Sequence, residues 1–301
     1  MTIPGMTQPS QFTRRMDTAR SKIGMFRLQA IVITVIVAVL AIIFIWPFLC
    51  LLGSTFKPID AGLRAPLWPI PEKLSLQFYD LTFGERYRFP SYIWNSVKVA
   101  VLSTLLSTFT CVLSGYALAK LRFPGRDLLF SLIIAVMLLP TTTMLVPQYV
   151  VMRDLHLTDT HWGLILPAIG GGAFGIFLMR QFMLNIPTEM LEAARMDGAN
   201  EFDLFFRIVL PNAQAGIGVI ATLSLRGNWN SLLWPQIILG GDMSKQLLMP
   251  AIAMLNQQQV ADAYALPVVW TASVVAAMVP LALYAYTQRY FISTLAGAIK
   301  G

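Results

Sequence analysis

Charged side chains are scarce in this sequence of 301 residues. Asp, Glu, Lys and Arg make up 12% of the chain, whereas 56% of it is hydrophobic and the mean hydropathy is +0.64. Soluble domains carry about 25% charged residues, so the composition excludes an ordinary soluble protein. The length alone would suggest about two soluble domains, but the long apolar runs indicate a membrane protein instead.

Acidic residues are missing altogether from the six longest apolar runs. Each run has the ~20 residues that a helix needs to cross a ~30 Å hydrocarbon core. We therefore predict an all-α integral membrane protein with six transmembrane helices, at residues 28–52, 92–119, 128–150, 162–182, 213–238 and 266–288. Proton-coupled carriers usually need carboxylates within the membrane, so the absence of Asp and Glu argues against a proton-driven carrier.

Catalytic and nucleotide-binding patterns are also absent. The sequence has no G-x-x-x-x-G-K-[ST] phosphate loop, so we expect no ATP binding by this chain. No Ser/His/Asp or H-E-x-x-H pattern supports a membrane enzyme. His156 and His161, with Asp154 and Asp159 nearby, have a spacing that zinc could use, but a solvated loop is the favoured interpretation. We predict a non-catalytic chain with no metal or cofactor of its own.

Cysteine is nearly absent as well, with two residues in the chain. Cys50 and Cys111 both fall inside predicted membrane helices, where lone thiols act as small packing residues rather than as redox or metal groups. The first apolar run is too long for a signal peptide and no small-x-small cleavage site follows it. This run is therefore predicted to remain as a membrane anchor.

The basic residues are distributed unevenly along the chain. If the N-terminus is cytoplasmic, 13 Lys and Arg fall in inside segments and seven in outside loops. This is the positive-inside pattern; it predicts that both termini are cytoplasmic, and it explains the net charge of +7 without nucleic acid. Residues 1–27 form a polar basic arm, expected to be irregular or to lie on lipid headgroups. Residues 28–301 form one membrane domain.

A polar, helix-forming stretch over residues 185–211 separates the fourth and fifth predicted spans. Pro187 and Thr188 begin a helix, with Thr188 available as a cap, and Gly198 ends it in the left-handed conformation. Asn200 caps a second helix. Its apolar face follows the spacing i, i+3, i+4 and i+7, at Phe202, Phe205, Phe206 and Val209. These helix signals leave open whether the stretch is an ordinary interfacial hairpin or an element on which a soluble partner exerts force.

The same stretch carries the spaced motif E-A-A-x3-G-x9-I-x-L-P. All seven positions are present, at Glu192, Ala193, Ala194, Gly198, Ile208, Leu210 and Pro211. The motif resembles the signature of the membrane subunits of bacterial binding-protein-dependent ABC importers. The resemblance implies a type I importer permease whose cytoplasmic coupling helix docks in a cleft on an ATPase subunit. The alanines would permit close approach, and Glu192 would pair with a basic residue of that subunit.

Further stretches are similar to carbohydrate permeases of the MalG type. They are the G-Y-A-L-A-K-L-R-F-P-G run at 115–125, the stretch from Leu139-Pro140 to G-L-I-L-P at 163–167, Trp229-Asn230 with Trp234-Pro235, and the tail at 288–301. The similarity covers residues 28–301. It implies a sugar importer in the bacterial plasma membrane. Its partners would be a second homologous permease, two ATPase subunits that bind ATP and Mg, and an extracytoplasmic solute-binding protein. Import of a polyol or glycerol phosphate, or a stand-alone secondary carrier, are the alternatives.

Candidate residues for the translocation path follow from how proteins bind sugars, with aromatic faces, amides and hydroxyls. If the fifth helix is continuous, Gly227, Asn230 and Trp234 share one face. That face, with Thr141, Thr142, Thr143 and Gln148 of the third helix, is the candidate lining. The alternative is that these residues are packing and interfacial groups. Gly171 and Gly175 form a G-x-x-x-G step, which predicts close helix packing.

Arg226 is the unusual charge in the predicted spans. It lies ~22 Å into the fifth helix when counted from Pro211 at 1.5 Å per residue. A charge at that depth costs several kcal/mol unless it is paired or faces water. We expect Arg226 to pair with an acidic residue of the partner permease or to contact an anionic or highly hydroxylated substrate.

Overall fold

The computed structural model describes the backbone of residues 11–58, 68–258, 262 and 264–299, and the side chains within 29–58, 68–258, 262 and 264–287. Within these ranges every regular element is a helix. The chain forms two compact units, Met1–Ser75 and Leu76–Gly301. The all-α prediction is therefore confirmed for the part of the chain that is described.

The first unit is built on one long helix, α1 (Gln11–Ser54). The helix begins at Gln11, so the second half of the polar arm is helical rather than irregular. Its apolar side chains from Ile31 to Phe48 are mostly exposed, as suits a helix that faces lipid. After α1 the chain turns back, and a Cβ on Gly53 would lie 1.7 Å from the Pro69 carbonyl oxygen. Only glycine permits that close approach.

The second unit contains twelve described helical elements. They are α2 (Gln77–Phe83), α3 (Phe89–Lys120), α4 (Arg126–Met137), α5 (Leu145–Asp154) after a 3-10 turn at Thr141–Met144, α6 (Trp162–Ile165) continued by a 3-10 turn at Leu166–Gly170, α7 (Ala173–Leu184), α8 (Thr188–Met196), α9 (Glu201–Asn212), α10 (Gln214–Trp229), α11 (Leu233–Ile238), α12 (Leu248–Gln257) and α13 (Ala265–Ile299).

Four stretches are each long and apolar enough to cross a membrane: Gln29–Ser54, Phe89–Lys120, Trp162–Leu184 and Ala265–Thr287. Two further candidates are bent pairs, with 102° between Arg126–Met137 and Thr141–Asp154 and 75° between Glu201–Asn212 and Gln214–Trp229. If each pair is one span, the described residues supply six spans, the number predicted. The second pair, however, does not match the predicted fifth span at 213–238, because it includes Glu201–Asn212 from the predicted polar stretch. Pro140 lies at the sharper bend, where it has no N–H for the helix and restricts the residue before it.

The fifth span is shorter than predicted. We expected one helix over 213–238, but α10 ends at Trp229 and α11 is a separate element. The physical reason lies in the local sequence: Asn230 and Ser231 are weak helix formers, and Pro235 could not donate to the Ser231 carbonyl in a continuous helix. The prediction that Gly227, Asn230 and Trp234 share one helical face is therefore wrong.

The helix α3 is the centre of the second unit, packed most extensively on α7 and α10. Small residues permit this: a Cβ on Gly115 would lie 2.8 Å from Met179, and a Cβ on Gly175 would lie 2.5 Å from the Cys111 sulfur. The Cys111 thiol donates to the Gly171 carbonyl at 2.8 Å. The close packing predicted for the G-x-x-x-G step and the packing role of Cys111 are both confirmed.

Candidate coupling hairpin and path residues

We use the word hairpin for α8, α9 and the turn between them, residues 188–212. Helix α8 begins after Pro187, and Thr188 is its first residue. No side-chain hydrogen bond caps this end, so the capping role predicted for Thr188 is wrong. The first turn keeps Glu189, a negative charge that favours the positive end of the helix dipole.

The turn of the hairpin follows the predicted chemistry. Gly198 has φ +88°, and its N–H donates to the Arg195 carbonyl at 3.0 Å. A Cβ on Gly198 would meet nothing within 4 Å, so the left-handed backbone rather than crowding requires glycine. Asn200 then accepts from the N–H groups of Phe202 and Asp203 at 2.9 and 3.0 Å. Both end signals read from the sequence are confirmed.

The buried face of α9 differs from the predicted one. The helix widens to a π-turn over Leu204–Val209, which aligns residues five apart instead of four. Leu204, Phe205 and Val209 are buried, whereas Phe202 is 77% exposed and Phe206 56% exposed. Of the apolar face predicted at Phe202, Phe205, Phe206 and Val209, only Phe205 and Val209 are therefore buried.

The seven motif residues divide into an outward group and an anchoring group. Glu192, Ala193, Gly198 and Pro211 are exposed, whereas Ala194 is half-buried. Ile208 and Leu210 are half-buried and pack against a hydrophobic cluster of α3, α7 and the hairpin. The structure thus exposes Glu192, Ala193 and Gly198 on the surface of the hairpin, whereas Ile208 and Leu210 are held by the hydrophobic cluster.

Residues outside the motif provide most of the anchoring. Leu191 is 1% exposed and Leu204 is fully buried, in the same cluster as Met179 and Met183 of α7. Neither Leu191 nor Leu204 was predicted from the sequence to be an anchor. The signal that could have revealed Leu191 is that it and Met190 are the two large apolar residues among the Thr, Glu and Ala of 188–194, whereas Leu204 depends on the π-turn.

Polar contacts also join the hairpin to α3. The Glu201 carboxylate accepts from the Tyr116 hydroxyl at 2.8 Å and from Arg195 at 2.9 Å. The Lys120 ammonium donates to the Ile186 carbonyl. The sequence gives no local signal for this role of Glu201, because its partner Tyr116 is 85 residues away.

A second charged cluster ties two loops at the opposite end of α3. Asp262 accepts from the Tyr87 hydroxyl at 2.7 Å and from Arg86 at 3.1 Å. Burial, and then the hydrogen bond to Asp262, raises the pKa of Tyr87 to about 12. The hydrogen bond from Tyr87 is the main cause that lowers the pKa of Asp262 below its usual range. This cluster stabilises the approach to α3 and α13.

The candidate path residues do not form one group. Thr141 and Thr142 are exposed in the 3-10 turn between α4 and α5, and Gln148 is half-buried on α5. Trp234 is half-buried, and its indole N–H donates to the Gly163 carbonyl of α6 at 3.3 Å. Trp234 therefore packs with α6 rather than beside Asn230.

Arg226 and Asn230 do lie together at the end of α10. The Asn230 amide donates to the Arg226 carbonyl at 3.0 Å, and both residues are exposed. Arg226 borders a cavity of about 290 Å³ between α10 and α13, whose far wall is Pro280, Leu283, Tyr284 and Thr287. None of the ion pairs between described residues includes Arg226.

His161 and Asp159 serve the loop before α6. The His161 Nε2 lies 2.8 Å from the Lys245 carbonyl oxygen, and the Asp159 N–H donates to the Ile238 carbonyl at 2.8 Å. These contacts join the loop to α11 and to the segment before α12. They hold His161 and Asp159 in a structured loop.

Comparison with known proteins identifies a family and several relatives of this chain. Residues 111–294 match the family described as binding-protein-dependent transport system inner membrane component. The chain is 31% identical over 280 residues to the arabinooligosaccharides transport system permease protein AraQ of Bacillus subtilis (strain 168), covering 92% of this chain and 98% of the relative.

Two further relatives extend the comparison. The sn-glycerol-3-phosphate transport system permease protein UgpE of Yersinia enterocolitica is 33% identical over 213 residues, covering 69% of this chain and 73% of the relative. A crystal structure of a bacterial ABC transporter involved in the import of the acidic polysaccharide alginate has a similar chain. The TM-score is 0.77 at 24% identity, with 88% of this chain and 97% of that chain covered. That likeness shows a shared fold.

Proposed function

The chain belongs to the family of binding-protein-dependent transport system inner membrane components, and from this premise we propose that it is a permease subunit of an ATP-driven carbohydrate importer. The observation that carries the proposal is the hairpin. Glu192, Ala193 and Gly198 are exposed on its surface, while Leu191 and Leu204 hold it against α3 and α7. A short rigid element with an exposed face and a firm base suits docking on a moving partner.

The hairpin is the coupling element in this proposal. The small side chain of Ala193 allows the partner surface to approach the α8 backbone. Glu192 pairs with a basic residue of an ATPase subunit, which holds ATP and Mg in its own site. Met196, 88% exposed, and Phe202 add apolar area next to the turn, as the buried centre of an interface requires. In this proposal the chain supplies the translocation path and the hairpin that receives the movement, and it carries no catalytic group.

The complete importer contains partners on both sides of the membrane. The hairpin and both termini face the cytoplasm of a bacterial cell, in keeping with the positive-inside distribution. A solute-binding protein loaded with sugar docks on the outer loops, and a second homologous permease completes the path through the bilayer. Closure of the two ATPase subunits pulls on the hairpin and turns the cavity outward, and hydrolysis resets it.

The substrate class rests on the relatives. The name of AraQ refers to arabinooligosaccharides, and this relative spans nearly the whole chain. The name of UgpE refers to sn-glycerol-3-phosphate, which keeps a polyol or glycerol phosphate as the second candidate. Arg226 suits either one, because a guanidinium binds hydroxyls and phosphate alike.

The experiment that tests the hairpin uses two matched charge reversals on α8. Glu192→Arg changes a motif residue, whereas Glu189→Arg makes the same change at an exposed position three residues earlier. The tagged chain is expressed from its native locus and purified in mild detergent, and the co-purified ATPase is quantified. We expect Glu192→Arg to lose at least tenfold of the ATPase, about 1.4 kcal/mol, and Glu189→Arg to retain most of it.

Absence of an ATPase beside the unmodified chain would refute the importer assignment. The next measurement would then be uptake by the chain alone in proteoliposomes under an ion gradient, as a secondary carrier requires. Equal loss in both charge reversals would show that charge on α8 in general, not Glu192, governs docking.

Arg226 and the substrate class are tested by transport. The binding protein from the same locus is screened against arabinooligosaccharides, other sugars and sn-glycerol-3-phosphate by calorimetry. Uptake of the ligand found is then measured in cells that carry Arg226→Ala or Arg226→Lys. We expect Arg226→Ala to reduce uptake at least tenfold, with the lysine variant in between. Normal uptake with normal assembly would contradict both proposed roles of Arg226.

A further inference from the structure

The Glu201 carboxylate lies between two elements that the proposed mechanism must connect. One oxygen, Oε1, accepts from the Arg195 guanidinium at 2.9 Å, and the other, Oε2, accepts from the Tyr116 hydroxyl at 2.8 Å. Arg195 is in the last turn of α8, and Tyr116 is near the end of α3. Both oxygens are therefore occupied, each by a different helix.

Tyr116 is held firmly in its place. Its side chain is 6% exposed and packs on the Phe205 ring, with ring centroids 5.3 Å apart. The neighbouring Gly115 lies so close to Met179 of α7 that a Cβ there would clash at 2.8 Å. A displacement of the Tyr116 hydroxyl therefore moves the end of α3, and α3 is the helix on which α7 and α10 pack.

The apolar anchors of α8 cannot transmit movement in the same way. The burial of Leu191 holds α8 against the core, and such close packing also transmits displacement, but hydrophobic contact is non-directional and does not fix the angle of the contact. Hydrogen bonds to a carboxylate require short distances and defined angles. The ion pair itself is partly exposed, with 39% of the Arg195 side chain and 54% of the Glu201 side chain accessible. Exposed pairs contribute little to stability, so stability alone does not account for this arrangement.

We propose that Glu201 is a positioning residue that passes movement of the coupling helix α8, through Arg195 on one oxygen and Tyr116 on the other, to the membrane-spanning helix α3. This inference rests on the proposed function, because it assumes that an ATPase moves α8. It adds a defined mechanical contact outside the seven motif residues.

The test measures nucleotide-driven movement in the complete complex and needs no knowledge of the sugar. Leu233→Cys places a reporter thiol at the exposed start of α11, directly after α10, and the native thiols of Cys50 and Cys111 are buried. The rate of maleimide labelling is measured with and without a non-hydrolysable ATP analogue. In this background Tyr116→Phe removes only the hydroxyl. Tyr92→Phe is the matched control, a buried tyrosine of the same helix.

We expect the ATP analogue to change the labelling rate severalfold in the reporter background and in Tyr92→Phe. Tyr116→Phe and Glu201→Gln should lose more than half of that change while they retain the co-purified ATPase. A merely structural role would lower the yield of complex or its melting temperature without changing this nucleotide response. A full response in assembled Tyr116→Phe would overturn the inference and leave the proposed function intact.

The other outcomes are also decisive. If neither Tyr116→Phe nor Glu201→Gln assembles with the ATPase, the contact serves assembly and the inference is overturned. If the reporter chain itself retains no ATPase, or its labelling does not respond to the analogue, the proposed function fails and the inference fails with it.

Discussion

Helices are interrupted at the turn of the hairpin and again after Trp229, but different contacts fix the two breaks. In the hairpin the break is local: Gly198 takes φ +88° and Asn200 caps the next helix with its own side chain. Between Trp229 and Leu233 the break is completed by distant contacts. Trp229 donates to the Ala276 carbonyl at 3.0 Å, and Trp234 donates to the Gly163 carbonyl at 3.3 Å. Both breaks thus have local signals in the sequence, but the packing of the chain on either side of the break after Trp229 depends on tertiary partners.

The largest expected effect comes from a substitution in α11, which tests whether tertiary packing fixes the chain after Trp229. Ile238 is 1% exposed, in a cluster with Leu164 and Ile165. Because the position of α11 depends on this packing, we expect Ile238→Ala to cost about 3 kcal/mol, in the range for buried Ile truncations. The adjacent Ile237 is 39% exposed, and Ile237→Ala should cost far less. Melting temperatures in detergent compare the two, and equal losses would contradict a packing origin.

Two glycine substitutions, each expected to change the free energy of unfolding by about 1 kcal/mol, compare the left-handed turn with a helical position. Gly198→Ala should destabilise the hairpin by about that amount, because alanine is strained at positive φ. Gly227→Ala should instead stabilise α10 by about 0.5–1 kcal/mol, because Gly227 is helical and a Cβ there meets nothing within 4 Å. Denaturation of the two variants should shift in opposite directions. Unchanged or increased stability of Gly198→Ala would show that the left-handed turn does not depend on glycine.

Removing each asparagine tests which of the two breaks uses its own side chain. Asn200→Ala should cost about 1 kcal/mol, since it leaves two N–H groups of α9 without their cap. Asn230→Ala should cost less, about 0.5 kcal/mol, because its amide only supplements the Arg226 carbonyl at an exposed helix end. Similar costs in thermal unfolding would mean that the outer break is also set locally.

The smallest expected effect is a pH dependence at the cluster around Asp262. Its pKa is lowered in the folded chain, chiefly by the hydrogen bond from Tyr87. The carboxylate therefore stabilises the fold above the unfolded pKa of ~3.9, and this contribution is lost as the pH falls through the lower folded pKa. We expect Asp262→Asn to lower the melting temperature at pH 7 and to make a smaller difference as the pH falls below the unfolded pKa of ~3.9. An equal difference above and below that pKa would contradict a role for the ionised carboxyl.

Much of the coupling hairpin could be read from its residues. The start after Pro187, the end at Gly198 and the cap at Asn200 depend on chemistry within a few residues. The burial of Phe205 but not Phe206 could not be read, because the π-turn changes the helical repeat by one residue. The role of Glu201 was equally hidden, since it depends on a tyrosine in another span.

The candidate path shows the same limit more severely. Arg226 and Asn230 are together because they are four residues apart on one helix end. Trp234 was expected beside them and lies against α6 instead. A periodicity argument holds only as far as the helix continues, and here the helix ends at Trp229.

The membrane environment, the number of apolar segments, the hairpin with its turn, and the family could all be read from the amino-acid sequence. These properties follow from apolar length, charge distribution and short-range backbone chemistry, which act between neighbours in the chain. Only the tertiary structure decided where the third and fifth spans bend, which face of α9 is buried, and which side chains tie the hairpin to α3. Those choices depend on close packing and directional hydrogen bonds between residues far apart in sequence, as Tyr116 and Glu201 are.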